Sequence, residues 1–179
     1  MFYNSQFNQD INNWDVSKVN IINENNSVFS SEFSNTFSDQ NTQLYGMFEL
    51  SKFNGDISNW DVSNITDMNS MFKDSQFNNS INDWNMSNVI DISEMFSGSK
   101  FNKNISNWNV SNVTNMRYVF YNSKFNKDIN NWNVFNVVNM AGVFELSEFN
   151  QNISEWNVSN VNYMNRMFKD TQFNKDITQ

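Results

Sequence analysis

The sequence predicts an α/β fold: a right-handed, single-layer solenoid of about seven 24-residue strand-turn-helix coils, with residues 1–179 forming one domain. Three observations carry this expectation. Phe53, Phe77, Phe101, Phe125, Phe149 and Phe173 recur every 24 residues, each followed by an Asn. Trp60, Trp84, Trp108, Trp132 and Trp156 recur at the same interval, as do Phe48, Phe72, Phe96, Phe120, Phe144 and Phe168. Within each unit the hydrophobic spacing changes from alternation to a helical period.

In the unit from Phe53 to Gln76, Trp60 and Val62 alternate with Asn59, Asp61 and Ser63, the signal of a short strand. From Ser63 onward Ile65, Met68, Met71 and Phe72 fall on one face of a two-turn helix, with Ser63 placed as its N-cap. Neither element buries its apolar side alone. Parallel stacking at about 4.8 Å per coil closes the core and gives a body on the order of 35 Å long. The identical columns then form aromatic layers in which all six Trp are expected to be buried, and the Asn that follows each first Phe is expected to form a ladder bonding its neighbours or the turn backbone.

Coils are expected to start near 7, 29, 53, 77, 101, 125, 149 and 173. The interval from Phe7 to Phe53 is 46 residues, so a degenerate coil is placed at 29–52: Phe29 and Phe33 take the first Phe and Ile positions, Leu44 and Met47 take the Met positions, and Phe48 closes the unit. The main irregularity is expected between Asn20 and Val28.

Composition narrows the function. The formal charge is -8, which opposes nucleic acid and anionic membrane surfaces and suits a neutral or basic partner. Cys and His are absent, which removes disulfides, thiolate chemistry, the usual zinc sites and every His-based catalytic arrangement. No stretch approaches the roughly 18 apolar residues of a membrane span, so no membrane insertion is expected. The N-terminus lacks a basic region followed by an apolar run.

The run Phe-Asn-x-Asp-Ile-Ser-x-Trp-Asp-Val-Ser-Asn-Val-x-x-Met-x-x-Met-Phe, best matched at 53–72 and 101–120, resembles the repeat of bacterial BspA-like leucine-rich-repeat surface proteins, in the variant found in mycoplasma surface lipoproteins. The resemblance implies a leucine-rich-repeat-like solenoid used for adhesion or protein contact at a cell surface or in the extracellular space. It carries over no catalytic residue.

Acidic columns are the main candidates for chemistry. Asp10, Asp56, Asp128 and Asp176 share one position, and Asp15 and Asp61 another. Dilution by Ser80, Asn104 and Asn152, and by Asn85, Asn109, Asn133 and Asn157, makes a poor calcium array and reads as a solvated face. No catalytic, cofactor or metal residue is singled out. The sequons at Asn64, Asn104, Asn112 and Asn152 follow from the repeat's own Asn-Ile-Ser and Asn-Val-Thr elements.

Departures from the repeat toward aromatic residues point to contact. Phe135 replaces the expected capping Ser, and Tyr118, Tyr121 and Tyr163 stand where other units carry small or polar residues. These four are the candidate partner contacts of a non-enzymatic protein-interaction or adhesion module. The alternative is a structural subunit that assembles end to end, because solenoid ends expose an apolar cross-section; the C-terminal end is expected to contact another chain or segment.

Overall fold

The computed structural model describes residues 1–19 and 42–177. Among these residues there is no helix, and two short parallel strands form one pair: β1, Thr42–Gln43, and β2, Ile65–Asp67. The α/β, leucine-rich-repeat-like solenoid of strand-turn-helix coils is thereby overturned. Layers do stack at a 24-residue interval, but each is built of turns.

The layer beginning at Phe53 shows why. Four side-chain oxygens accept the backbone N–H two residues downstream: Ser51 from Phe53 at 2.9 Å, Asp56 from Ser58 at 2.9 Å, Asp61 from Ser63 at 3.0 Å and Asp67 from Asn69 at 2.8 Å. Ser and Asp in such positions give the backbone a local alternative to helix or sheet. Between them, N–H groups reach back three residues: Trp60 to Ile57, Ile65 to Val62, Met71 to Met68 and Ser75 to Phe72. Where a strand was expected at Trp60 and Val62, the chain follows these turns. Ser63 caps no helix; its N–H is itself held by Asp61.

The expected helix fails for two reasons. Met68, Ser70, Phe72 and Asp74 donate their N–H groups to carbonyls of the next layer, Asp91, Ser93, Met95 and Ser97, at 2.7–3.0 Å, so these donors are withdrawn from any i→i−4 ladder. Ser70 and Asp74 also stand at φ +55° and +53°, a left-handed conformation that ends a right-handed helix. Two successive turns with left-handed third residues bring Met68, Met71 and Phe72 inward at the spacing a helix would produce. Single parallel bridges continue the line of β2 through Asp67, Asp91, Asn115, Asn139 and Tyr163.

The core is aromatic. Phe53, Phe77, Phe101 and Phe125 stack with centroids 6.1–6.2 Å apart and nearly parallel planes, and Phe72 packs on Phe77 at 4.3 Å within the fold. Each buried indole donates Nε1–H to a carbonyl of the preceding layer: Trp60 to Ile11, Trp84 to Ile57, Trp108 to Ile81, Trp132 to Ile105 and Trp156 to Ile129. Burial of all six Trp is corrected for Trp14, which is 45% exposed. It belongs to the layer begun at Phe7, beneath which no Ile carbonyl receives its indole N–H among the described residues. The Asn ladder forms as expected: the side-chain oxygens of Asn54, Asn78, Asn102 and Asn126 accept the N–H of Asn78, Asn102, Asn126 and Asn150 in turn.

At the N-terminus, Phe7 stacks on Phe53 at 6.3 Å, and Asn54 donates its N–H to Asn8 at 2.7 Å. The layers begun at 7 and 53 are therefore direct neighbours. Residues 7–19 supply 13 positions and residues 42–52 supply 11, which together make one 24-residue layer, joined where Gln43 N–H meets the Val19 carbonyl. Of the degenerate coil placed at 29–52, residues 29–41, with Phe29 and Phe33, and the irregularity placed at 20–28 lie outside the described residues. Leu44, Met47 and Phe48 occupy their expected places and are fully buried, as the second half of the layer begun at Phe7.

Candidate interaction surface

The turn segment repeats along one side of the stack and sets the candidate surface. Its two left-handed positions recur in register: Gly46, Ser70, Glu94, Tyr118, Gly142 and Arg166 at the first, and Leu50, Asp74, Gly98, Asn122, Leu146 and Asp170 at the second. Left-handed backbone suits Gly and Asn and disfavours bulky side chains. Tyr118 nevertheless holds φ +54°. A Cβ placed at Gly142 would overlap the Tyr118 ring, so the glycine in the next layer is what gives that ring its seat.

Tyr118 and Tyr121 meet edge to face, centroids 5.3 Å apart at 71°, and both are half-buried. The Arg117 guanidinium lies 4.8 Å from the Tyr118 centroid. Lys73, Asp74, Glu94, Ser97, Gly98 and Arg166 complete a groove of about 380 Å³ beside the tyrosines. Lys73 Nζ bonds Glu94 Oε2 at 2.6 Å. Arg166 clasps Glu145 through Nε, at 3.0 Å, and Nη2, and Lys169 stands 3.6 Å away.

Glu145 is 1% exposed, and its Oε2 has no hydrogen-bond partner among the described residues. Its hydrogen bond and charge raise the Arg166 pKa above the usual guanidinium value. A second groove, of about 430 Å³, runs along Asn64, Thr66, Asn88, Ile90, Asn112 and Thr114 and is lined by uncharged side chains.

The other two candidate contacts lie apart from the tyrosine pair. Phe135 is 45% exposed and, like the Ser at equivalent positions, donates its N–H to the preceding Asn, Asn133 Oδ1, at 3.2 Å. The expected loss of a helix cap there is corrected, since there is no helix and the turn bond is kept. Tyr163 is 58% exposed at the last bridge of the parallel line. No ring contact joins Phe135 or Tyr163 to the tyrosine pair or to each other among the described residues.

The acidic columns turn out to be turn acceptors. Asp10, Asp56, Asn104, Asp128 and Asn152 each accept the N–H two residues on, as do Asp15, Asp61, Asn85, Asn109, Asn133 and Asn157. These bonds hold the carboxyls of Asp15, Asp56 and Asp61 below the usual range, with Ser17, Ser58 and Ser63 as donors.

Sequence reasoning missed a third column of this type. Asp67, Asp91, Asn115 and Asn139 hold the amides of Asn69, Ser93, Arg117 and Ala141. Burial, with the Asp91 charge added, pushes the Asp67 carboxyl up to about 7, and burial also raises that of Asp91. The groove's charged lining was missed as well. Its signal was present: Gly142 directly follows Tyr118 in its column, and Gly98 stands one layer before Asn122 in the other.

No curated protein matches the chain, and no solved structure does. A family model described as a mycoplasma protein of unknown function, DUF285, matches residues 1–43, 21–124, 42–147 and 97–179, overlapping spans that together take in every layer. The chain is a repeat protein and belongs to the mycoplasma family of unknown function DUF285.

Proposed function

We propose that the chain is a non-enzymatic interaction module whose turn face contacts a protein partner at a cell surface. The observation that carries this reading is the division of labour within each layer. The Phe, Trp and Asn columns recur almost unchanged, while the turn columns change residue from layer to layer on a backbone held in place by bonds to its neighbours. A rigid frame with variable, part-exposed side chains suits recognition, because little ordering entropy remains to be lost on binding. The resemblance to mycoplasma surface lipoprotein repeats supports the surface setting. The test is surface plasmon resonance of the immobilised chain against a panel of extracellular-matrix and cell-surface proteins. Saturable binding that survives 0.15 M salt is expected; turnover of a glycan panel without protein binding would overturn the reading.

End-to-end assembly is a second reading, favoured by one observation. In the last layer the N–H groups of Met164, Arg166, Phe168 and Asp170 make no backbone bond among the described residues, although their counterparts in earlier layers donate to the layer that follows. Tyr163, Met164 and Val158 are exposed beside them. These donors suit the carbonyls of a further layer, and end-to-end assembly would take that layer from a second copy. Concentration-dependent mass in light scattering is the expected outcome, and a constant monomer mass up to millimolar concentration counts against it.

A further inference from the structure

We propose that the groove between Asp74 and Glu94 on one wall and Tyr118 and Tyr121 on the other is a docking site for an Arg or Lys side chain of a protein partner. The proposal deepens the interaction reading and rests on it. The groove exists because a layer with two tyrosines stands beside a layer whose residues there include the small Ser97 and Gly98. At the position of Tyr118 other layers carry Gly, Ser, Glu or Arg, and at that of Tyr121 they carry Glu, Lys or Ser. Neither ring is required by the fold. Tyr118 holds a left-handed conformation that disfavours a bulky residue, and its ring is seated over Gly142.

The chemistry favours a cation. The Tyr118 ring already has the Arg117 guanidinium at 4.8 Å, a geometry in which an aromatic quadrupole attracts positive charge. Both cations that line the groove are engaged, Lys73 by Glu94 and Arg166 by Glu145. Asp74 is exposed; its N–H is bonded to the Ser97 carbonyl, while its carboxylate makes no hydrogen bond or salt bridge among the described residues and has Lys73 as the cation it acts on. Because the Lys73 ammonium is itself bonded to Glu94, the Asp74 carboxylate remains open to a further cation in the groove beside the rings, in a chain of net charge -8. A guanidinium fits both walls, stacking on tyrosine and pairing with carboxylate through its fork of donors.

The test titrates an acetylated, amidated Gly-Arg-Gly-Arg-Gly peptide into the full chain by NMR, with Gly-Glu-Gly-Glu-Gly and maltotetraose as competing chemistries. Shifts centred on Gly98, Tyr118, Tyr121 and Asn122 are expected for the Arg peptide. The variants copy residues that other layers already carry at the same positions: Tyr118→Ser and Tyr121→Ser together, after Ser70 and Ser97, and Asp74→Asn, after Asn122. Each is expected to weaken binding about tenfold or more while the melting temperature stays within about 4 °C. Asp83→Asn, an equal charge change at an exposed turn elsewhere, is expected to leave binding within about twofold.

Equal loss in Asp83→Asn would reduce the effect to net charge and overturn the proposal. So would preferential binding of the acidic peptide or the oligosaccharide, or unchanged binding in the tyrosine and Asp74 variants. If the double variant melts early, Tyr121→Ser alone and Asp74→Asn decide, read by the same shifts. A partner protein that binds these variants as well as it binds the wild type would overturn the groove and leave the interaction reading standing.

Discussion

The two sides of each layer obey different rules. On the side of the Phe, Trp and Asn columns, every layer repeats the same residue because each ring packs on its own copy above and below, and each Asn accepts the next layer's N–H. On the turn side the backbone repeats as faithfully, with left-handed residues at the same places, yet the residues there include Gly, Ser, Glu, Tyr and Arg. Burial selects side chains on the first side; backbone conformation tolerates many on the second. A repeat can therefore keep its frame while it changes what it displays.

The largest effect that separates the two sides is expected on the aromatic side. Phe101→Ala removes a fully buried ring from the middle of the Phe column and should cost about 3–5 kcal/mol, measured by urea denaturation. A loss below about 1 kcal/mol would mean that the column is not a packed core.

A smaller but definite cost is expected where the turn side does demand one residue. Gly142→Ala forces a Cβ into the Tyr118 ring and a left-handed φ on alanine, for about 2 kcal/mol of lost stability. Gly98→Ala should cost less, about 1 kcal/mol, since the Cβ there meets the movable end of Asp74. The same denaturation curves rank the pair, and the reverse order would contradict the seating of the ring.

The pH dependence sharpens the contrast further. Asp67 has a folded-state pKa raised to about 7, so the folded protein binds a proton more tightly than the unfolded chain. The resulting stability is fully present below the unfolded value of about 4 and is lost as pH rises through about 7. Thermal melts should therefore fall from pH 5 to pH 8, and Asp67→Asn, which copies Asn115, should flatten the Asp67 share of that slope and leave the share of Asp91. The exposed carboxyls of Asp15, Asp56 and Asp61 act in a separate window: their lowered values give stability that is lost only as pH falls below about 4. A wild-type chain more stable at pH 8 than at pH 5 would contradict the buried pair.

The smallest effect belongs to Phe135→Ser. The turn bond to Asn133 is made by the backbone, so stability should change by less than about 0.5 kcal/mol. A larger loss on the same measurement would place the ring in the core.

Much of this was legible in the sequence, because the columns of Phe, Trp and Asn are consequences of stacking and appear as a period. The Asn ladder and the burial of Trp60, Trp84, Trp108, Trp132 and Trp156 followed directly. The α/β assignment failed because Ile65, Met68, Met71 and Phe72 have helical spacing for a different reason: two consecutive turns repeat the same inward pattern. Gly46, Gly98 and Gly142 marked the left-handed positions, but the other layers put Ser, Glu, Tyr and Arg there and hid the signal. The interaction groove was half legible. Its tyrosines broke a visible rule, whereas the pairing of Lys73 with Glu94 and of Arg166 with Glu145 joins residues 21 apart and needed the stack to bring them together.

The layer built from residues 7–19 and 42–52 bears on how such a chain can change length. Because its register is set by the Phe, Asn and Trp contacts to the layer above, the fold reads only where each segment lands, not how much chain lies between the segments. Growth or shrinkage by whole units of 24 preserves every column, and extra chain can be spliced in at the junction after Val19 without shifting any layer beyond it. A deletion of one residue within a layer has no such freedom, since that layer then falls one residue short of the 24 that bring its columns onto those of both neighbours. Length variation in this architecture is thus quantised along the stack and continuous only at a seam.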